Sequence, residues 1–266
     1  MPNLCVIGAG GRMGLKLIAN AESKGLTISG ALEHASHVKI GEDIGELAGV
    51  NKLNVKLTAD INVAIFDADI VIDFAFAEQL DERVKLCAEK GIPMVIGATG
   101  VPEKCKNVIL EAAKKIAIIH ASNYSVGVNL LFGLCRQVAS ILDETYDIEV
   151  VEMHHKHKKD APSGTALSLV EALEAGRNIA EKNRKYGREG NTGARTSGEI
   201  GIHAIRGGDV VGDHLVIFAA DGERIELGHK ASNRDAFAFG ALRAANYLLG
   251  KTPGLYNMKE VLGLKL

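Results

Sequence analysis

Asn3-Leu4-Cys5-Val6-Ile7-Gly8-Ala9-Gly10-Gly11-Arg12-Met13-Gly14 is the stretch that decides the architecture of this chain. Five mostly apolar residues run into a glycine loop, and the loop runs into a helical pattern over residues 12–24 that stops at Gly25. Strand, tight turn and helix in that order make the first half of a βαβ unit. The strict G-x-G-x-x-G spacing would put its third glycine at Met13, so the better description is G-x-x-G-x-x-G at positions 8, 11 and 14.

Residues 27–33 read as the second strand, and Glu33 ends it 33 − 14 = 19 positions after Gly14. An uncapped helix start attracts an anion such as a pyrophosphate, because its first N–H groups are unpaired and the helix dipole is positive there. An acid at the end of the second strand lies where ribose hydroxyls come to rest. The loop alone is compatible with an ordinary turn, and Glu33 alone with a solvated strand end. Together, in this order, they point to a nicotinamide or flavin dinucleotide.

Working outward, strands are expected at 55–57, 69–74, 93–96 and 116–120, with helices at 78–90 and 103–115, the latter opened by Pro102. This is α/β grammar, a Rossmann-type doubly wound domain over residues 1–125. A cofactor there lies across the strand ends, which carry Phe74-Ala75-Phe76, Gly97-Ala98-Thr99-Gly100 and Ala121-Ser122-Asn123-Tyr124. After Ser125 the pattern changes. Helix 126–142, strand 147–153, helix 163–177 and a polar stretch at 184–198 precede three successive strands, 199–206, 213–220 and 223–230. Turn signals at Gly207-Gly208-Asp209 and Asp221-Gly222 suggest hairpins between them. Residues 126–232 are therefore expected to form an inserted α+β domain with a mixed sheet. Ser232-Asn233-Arg234-Asp235 has capping-box spacing before a helix reaching Leu249, so residues 233–266 are expected to return to the first domain and complete it.

Composition narrows the function classes. With 31 Lys+Arg against 33 Asp+Glu, a formal charge of −2, no Trp and 5% aromatics, the chain lacks the basic, stacking surface of a nucleic-acid binder. No run of about 18 apolar residues suggests a membrane span, and the N-terminus does not read as a signal peptide. Four widely spaced cysteines without a C-x-x-C read as reduced thiols of a cytoplasmic protein. Glycine is enriched, at 30 residues or about 11%, as expected where backbone turns tightly or approaches a ligand.

One segment concentrates charge: Glu152-Met153-His154-His155-Lys156-His157-Lys158-Lys159-Asp160-Ala161-Pro162-Ser163-Gly164-Thr165-Ala166. A solvated charge run is the plain alternative. A metal site is the sharper one, but neighbouring ammonium groups repel a cation and no Cys joins the cluster, so none is expected. An anion site with proton donors fits best. Ser163 is placed to cap a helix, and the N–H groups of Gly164 and Thr165 can then hold a carboxylate. Two anion-holding devices, the cations and the helix start, point to a small dianionic substrate.

This segment, with the opening glycine loop, resembles the 4-hydroxy-tetrahydrodipicolinate reductases (dihydrodipicolinate reductases) of bacterial lysine and diaminopimelate synthesis, and the likeness covers essentially the whole chain. The resemblance implies NAD(P)H-dependent reduction of a small dicarboxylate substrate, 4-hydroxy-tetrahydrodipicolinate, by way of dihydrodipicolinate, to tetrahydrodipicolinate. It implies His154 as catalytic proton donor and acceptor, Lys158 as second proton donor, and His155, Gly164 and Thr165 as substrate contacts. It also implies a cofactor lined by Gly8, Ala9, Gly10, Gly11, Arg12, Met13, Glu33, Gly97, Ala98, Thr99, Ala121, Ser122, Asn123 and Tyr124, and a homotetramer. His34 and Phe76 stand where the family often has arginines that favour the 2′-phosphate of NADPH. The expectation is therefore NADH, or dual use. A non-catalytic dinucleotide sensor and a metal-dependent lyase are the competing function classes.

Overall fold

The structure is a computed structural model that describes residues 1–98, 100–179 and 183–264. Thr99, Lys265 and Leu266, named in the expectations above, lie outside the described residues. The chain forms two compact units, one of Met1–Ser125 with Arg234–Gly263 and one built on Val126–Asn233.

Elements are numbered in chain order. The first unit is a seven-stranded parallel sheet of β1 (Asn3–Ile7), β2 (Thr27–Leu32), β3 (Leu57–Thr58), β4 (Ile70–Asp73), β5 (Met94–Ile96), β6 (Ala117–His120) and β12 (Gly254–Tyr256). Their order is β12-β6-β5-β4-β1-β2-β3. Every residue of β4 is buried, as its uninterrupted Ile-Val-Ile run requires of a strand covered on both faces. One face packs on α1 (Arg12–Ala21) and α8 (Asp235–Leu248) through Leu17, Ile18, Ala241 and Leu242. The other packs on α4 (Leu80–Lys90) and α5 (Glu103–Ala112) through Val84, Cys87, Cys105 and Ile109. Strand order reverses at β1, whose neighbours are β2 and β4, so a ligand crevice opens at the carboxyl ends of these three strands.

Several local expectations are corrected. The helix expected at 12–24 is α-helical only to Ala21; residues Glu22–Lys24 tighten into a 3₁₀ turn that Gly25 ends at φ +76°. The capping box expected at Ser232–Asp235 does not form, because α8 begins at Asp235 behind a helical Arg234 with no side-chain cap. Asp235 lies in the first turn and pairs instead with Lys16 at 3.1 Å. A true capping box joins Asn257 and Glu260 at the start of α9 (Met258–Leu262), which the sequence reading missed. Also missed were β12 and the short helices α2 (Ile44–Leu47) and α3 (Ile61–Ala64), capped by Asp43 and Asp60.

The second unit is a mixed five-stranded sheet of β7 (Asp147–His154), β8 (Arg184–Tyr186), β9 (Ile200–Arg206), β10 (Asp213–Ala220) and β11 (Glu223–Lys230), ordered β11-β10-β7-β9-β8. Its helices are α6 (Val126–Ile141) and α7 (Gly164–Arg177), which bury Leu131, Cys135, Leu169 and Leu173 against Ile148, Val150, Val216 and Phe218. Only β10 and β11 form the expected hairpin. Strand β9 does not pair with β10; it runs parallel to β7, which separates the two. The polar stretch at 184–198 contributes β8, parallel to β9. On the face opposite the helices, Val151, Met153, Leu215 and Ile217 are half-buried and Ile205 is exposed.

Candidate active site

In the first unit the glycine loop is shaped by close approach. Gly8 has φ +77°, and a Cβ there would stand 2.8 Å from Ala75 N. A Cβ on Gly14 would stand 2.2 Å from the Gly8 carbonyl oxygen, so this glycine lets α1 seat directly on the end of β1. Helix α1 starts at Arg12 with extended Gly11 as N-cap and no capping side chain, which leaves its first N–H groups to an anion. Glu33 is well placed at the neighbouring corner. Its Oε2 accepts the Gly10 N–H at 3.0 Å and its Oε1 accepts the His34 N–H at 3.0 Å. The His37 ring lies over Gly10, and His34 Nδ1 is 2.8 Å from Ser36 Oγ.

A cavity of about 870 Å³ opens here, lined by Gly8, Leu32, Glu33, Ile61, Phe76 and Arg83 among others. Arg234, named from sequence only within the capping-box spacing, is held below the usual arginine range by burial and by the charge of Arg12. Cradle, uncapped helix, ribose acid and apolar walls fit a dinucleotide.

The other strand ends are occupied differently. Gly97 donates its N–H to Asp73 O at 2.7 Å and lies under the Phe74 ring, where a Cβ would be 2.5 Å away. Ala98 is buried, and Asn123 Oδ1 accepts the Ser125 N–H at 2.8 Å. The Tyr124 side chain is not presented to a ligand. It is 2% exposed, packs on Phe74 and donates its O–H to Ile96 O at 2.8 Å, leaving only its main chain at the turn.

In the second unit β7 places Glu152 and His154 two residues apart, hence on the same, helix-facing side. Glu152 is fully buried and joins the site together. Its Oε2 lies 2.5 Å from His154 Nδ1, its Oε1 accepts the Ser163 N–H at 3.1 Å, and Arg206 donates to both oxygens at 2.9 and 2.8 Å. Burial works to raise its pKa, but the hydrogen bonds from His154 and Arg206 outweigh that and bring it down to about 2. Arg206 also donates to the Asp160 carbonyl at 2.6 Å. Neither Glu152 nor Arg206 was singled out from sequence, although Glu152 opens the quoted cluster.

With Nδ1 held by a carboxylate, His154 is left to exchange protons through Nε2. A Cβ on Gly212 would stand 3.0 Å from that nitrogen, so the glycine keeps the reactive edge clear. The imidazole of His214 meets His154 edge-on at 5.3 Å and lies 3.3 Å from Ser163 Oγ. Burial, and then the charge of His154, push His214 down to about 4, so it is neutral at physiological pH. Ser163 caps α7 as expected, accepting the Ala166 N–H. Around Gly164 the space is open, and Thr165 follows in the first turn. Lys158 Nζ pairs with Asp160 at 2.9 Å, and the segment is pinned to the turn after β9 by Gly207 N–H to His154 O and Lys156 N–H to Gly208 O. The His155 and His157 rings lie 6.3 Å apart. The structure thus gathers an imidazole held at Nδ1 by a buried carboxylate, ammonium groups and a helix start within one unit.

Among the described residues, no group of three His, Cys, Asp or Glu is arranged to hold a metal, and no helix is long and apolar enough to cross a membrane. Comparison with known proteins gives consistent matches. Family models described as dihydrodipicolinate reductase, N-terminus, and dihydrodipicolinate reductase, C-terminus, match residues 2–124 and 127–262. A 4-hydroxy-tetrahydrodipicolinate reductase of Acinetobacter baumannii (strain AYE) is 47% identical over 265 residues, 99% of this chain and 97% of that protein. One from Magnetococcus marinus is 48% identical, covering 98% of each. The fold is similar to that of a dipicolinate-bound dihydrodipicolinate reductase from Paenisporosarcina sp. TG-14, with a TM-score of 0.77, 24% identity and 98% of each chain covered.

Proposed function

The chain belongs to the dihydrodipicolinate reductase family, an NAD(P)-dependent oxidoreductase of lysine and diaminopimelate biosynthesis, and from that premise we propose how its residues divide the work. The overall reaction takes 4-hydroxy-tetrahydrodipicolinate, through loss of water to dihydrodipicolinate, to tetrahydrodipicolinate. A bound nicotinamide supplies the hydride, which goes to ring C4 of the cyclic imine dicarboxylate.

Everything else falls to groups of the protein. Charge left on the ring nitrogen and C3 after hydride addition is quenched by a proton from His154 Nε2 or Lys158. Glu152 supports this by holding Nδ1, which orients the ring and leaves Nε2 for the exchange. His155 and the N-terminal N–H groups of α7 at Gly164 and Thr165 hold the carboxylates, which orients the ring for attack. The observation that carries this reading is the buried Glu152–His154 pair beside the start of α7.

Gly8 to Met13, Glu33, Gly97, Ala98 and Ala121 to Tyr124 line the cofactor in this proposal, with Tyr124 contributing main chain only. NADH is favoured, or both cofactors are used, because Glu33 repels a 2′-phosphate and neither His34 nor Phe76 brings the fixed charge of an arginine. The half-buried apolar face of the second sheet supports a homotetramer, and four buried free thiols support a cytoplasmic location. The deciding experiment is absorbance decay of NADH and of NADPH on addition of enzymatically generated 4-hydroxy-tetrahydrodipicolinate. Decay that depends on the dicarboxylate is expected, faster with NADH or comparable with both. Cofactor binding without consumption would overturn the enzymatic reading in favour of a sensor, and loss of activity to chelators would favour a metal-dependent lyase.

A further inference from the structure

The turn that leaves β4 is held more firmly than a surface loop needs to be. Arg83 reaches back from α4, with Nε 2.6 Å from Oδ2 of the fully buried Asp73. Its other nitrogens donate to the carbonyls of Phe76 and Glu78, each at 2.8 Å. Asp73 Oδ1 accepts the Ala75 N–H at 2.9 Å. The backbone on both sides of Phe76 is thereby fixed, yet the Phe76 side chain is 85% exposed.

That exposed ring lines the cavity whose apolar walls include Leu32 and Ile61 and whose corner carries Glu33. Packing within the chain does not account for a large apolar side chain held in place at the edge of an open slot. A flat heterocycle entering the slot would meet apolar side chains from the β2 end and α3 and, in the same lining, an exposed aromatic ring. The Arg83 charge is directed at Asp73, so what the loop offers the slot at Phe76 is an aromatic ring and not a cation.

We propose that Phe76 is the stacking wall for the adenine ring of the dinucleotide, so that this chain holds the adenosine end of its cofactor by aromatic stacking. The proposal rests on the dinucleotide reading above. It goes further by assigning the recognition of one half of the cofactor to one side chain and one type of contact.

The test is isothermal titration of wild type, Phe76→Ala and Phe76→Trp with NADH and with ADP-ribose, which carries adenosine but no nicotinamide. Phe76→Ala should weaken both ligands by the same factor, about tenfold for the loss of one base–aromatic stack. Phe76→Trp should retain wild-type affinity for both. Because the side chain is exposed, the melting temperature of Phe76→Ala should match wild type, which separates loss of binding from loss of fold. Equal affinity of Phe76→Ala and wild type for ADP-ribose overturns the proposal, whether or not NADH binding changes. Failure of wild type to bind either ligand would instead overturn the dinucleotide reading itself.

Discussion

His154 and Glu152 face the same side of β7, and the imidazole Nδ1 lies 2.5 Å from a carboxylate oxygen that is itself fully buried. The pair is closed in by three further donors, the Ser163 N–H and two nitrogens of Arg206. Such a carboxylate orients the ring and selects which nitrogen is left to exchange a proton. Glu152→Gln keeps the shape and removes the charge. Its kcat should fall roughly ten- to a hundredfold while the Kd for NADH, measured by fluorescence titration, stays unchanged. A variant with wild-type kcat would remove Glu152 from the mechanism.

Loss of the imidazole should cost more than loss of its partner. His154→Gln is expected to lower kcat by about 10² to 10⁴, the usual contribution of a positioned acid or base, again without effect on NADH affinity. Single-turnover kinetics with the dicarboxylate substrate check this. Retention of most of the turnover would shift the proton-transfer role to Lys158.

Stability should depend on pH in two windows of the same sign. His214 has its folded pKa lowered from 6.5 to about 4, so the unfolded chain binds more protons between those values and stability falls as pH drops through that range. The full shift corresponds to roughly 3 kcal/mol. Glu152, lowered from 4.5 to about 2, contributes stability that is present above its unfolded value and is lost as pH falls from there towards 2. Urea unfolding of His214→Gln at successive pH values should show a shallower slope in the upper window, where His120 and His229 are also lowered by burial, and the lower window intact. An unchanged slope between pH 6.5 and 4 would contradict the assignment.

Cofactor choice should respond to a single charge. His34 sits beside Glu33 at the end of β2, and its ring nitrogen is engaged by Ser36. His34→Arg adds a guanidinium able to hold a 2′-phosphate and should raise the ratio of kcat/KM for NADPH to that for NADH about tenfold. Steady-state assays with both cofactors read this directly, and an unaltered ratio would exclude position 34 from the selection.

The uncovered face of the second sheet offers a test of assembly. Leu215 lies half-buried on this face of β10, with Val151 of β7 and Gly228 of β11 as its cross-strand neighbours. Leu215→Lys should dissociate the proposed homotetramer in light scattering at micromolar concentration, because burying a charge among apolar neighbours is expensive. An unchanged molar mass would place the interface elsewhere.

Local patterns carried the reading of the first unit a long way. Alternating apolar runs and helical stretches announce the parallel sheet, and the glycines around Gly8 announce the ligand end of β1, because both are properties of consecutive residues. The capping-box error at Ser232–Asp235 shows the limit. Spacing alone suited a cap there, but the Lys16 pairing of Asp235 and the helical Arg234 start α8 differently. Likewise β9 was read into a hairpin with β10 because they are neighbours in sequence, whereas β7 lies between them in space.

By itself, then, the sequence determined the α/β class, the glycine cradle with Glu33, the cationic segment His154–Lys159 and the family. Tertiary structure decided what surrounds them. Arg206 meets Glu152 across 54 residues, His214 meets Ser163 across 51, and Tyr124 turns its ring into the core to bond Ile96. The physical reason is one of range. Periodicity, caps and turn chemistry act over a few residues and can be read along the chain. The pairing of β7 with β9 and β10, which brings Glu152, Arg206 and His214 together, depends on burial summed over the whole sheet.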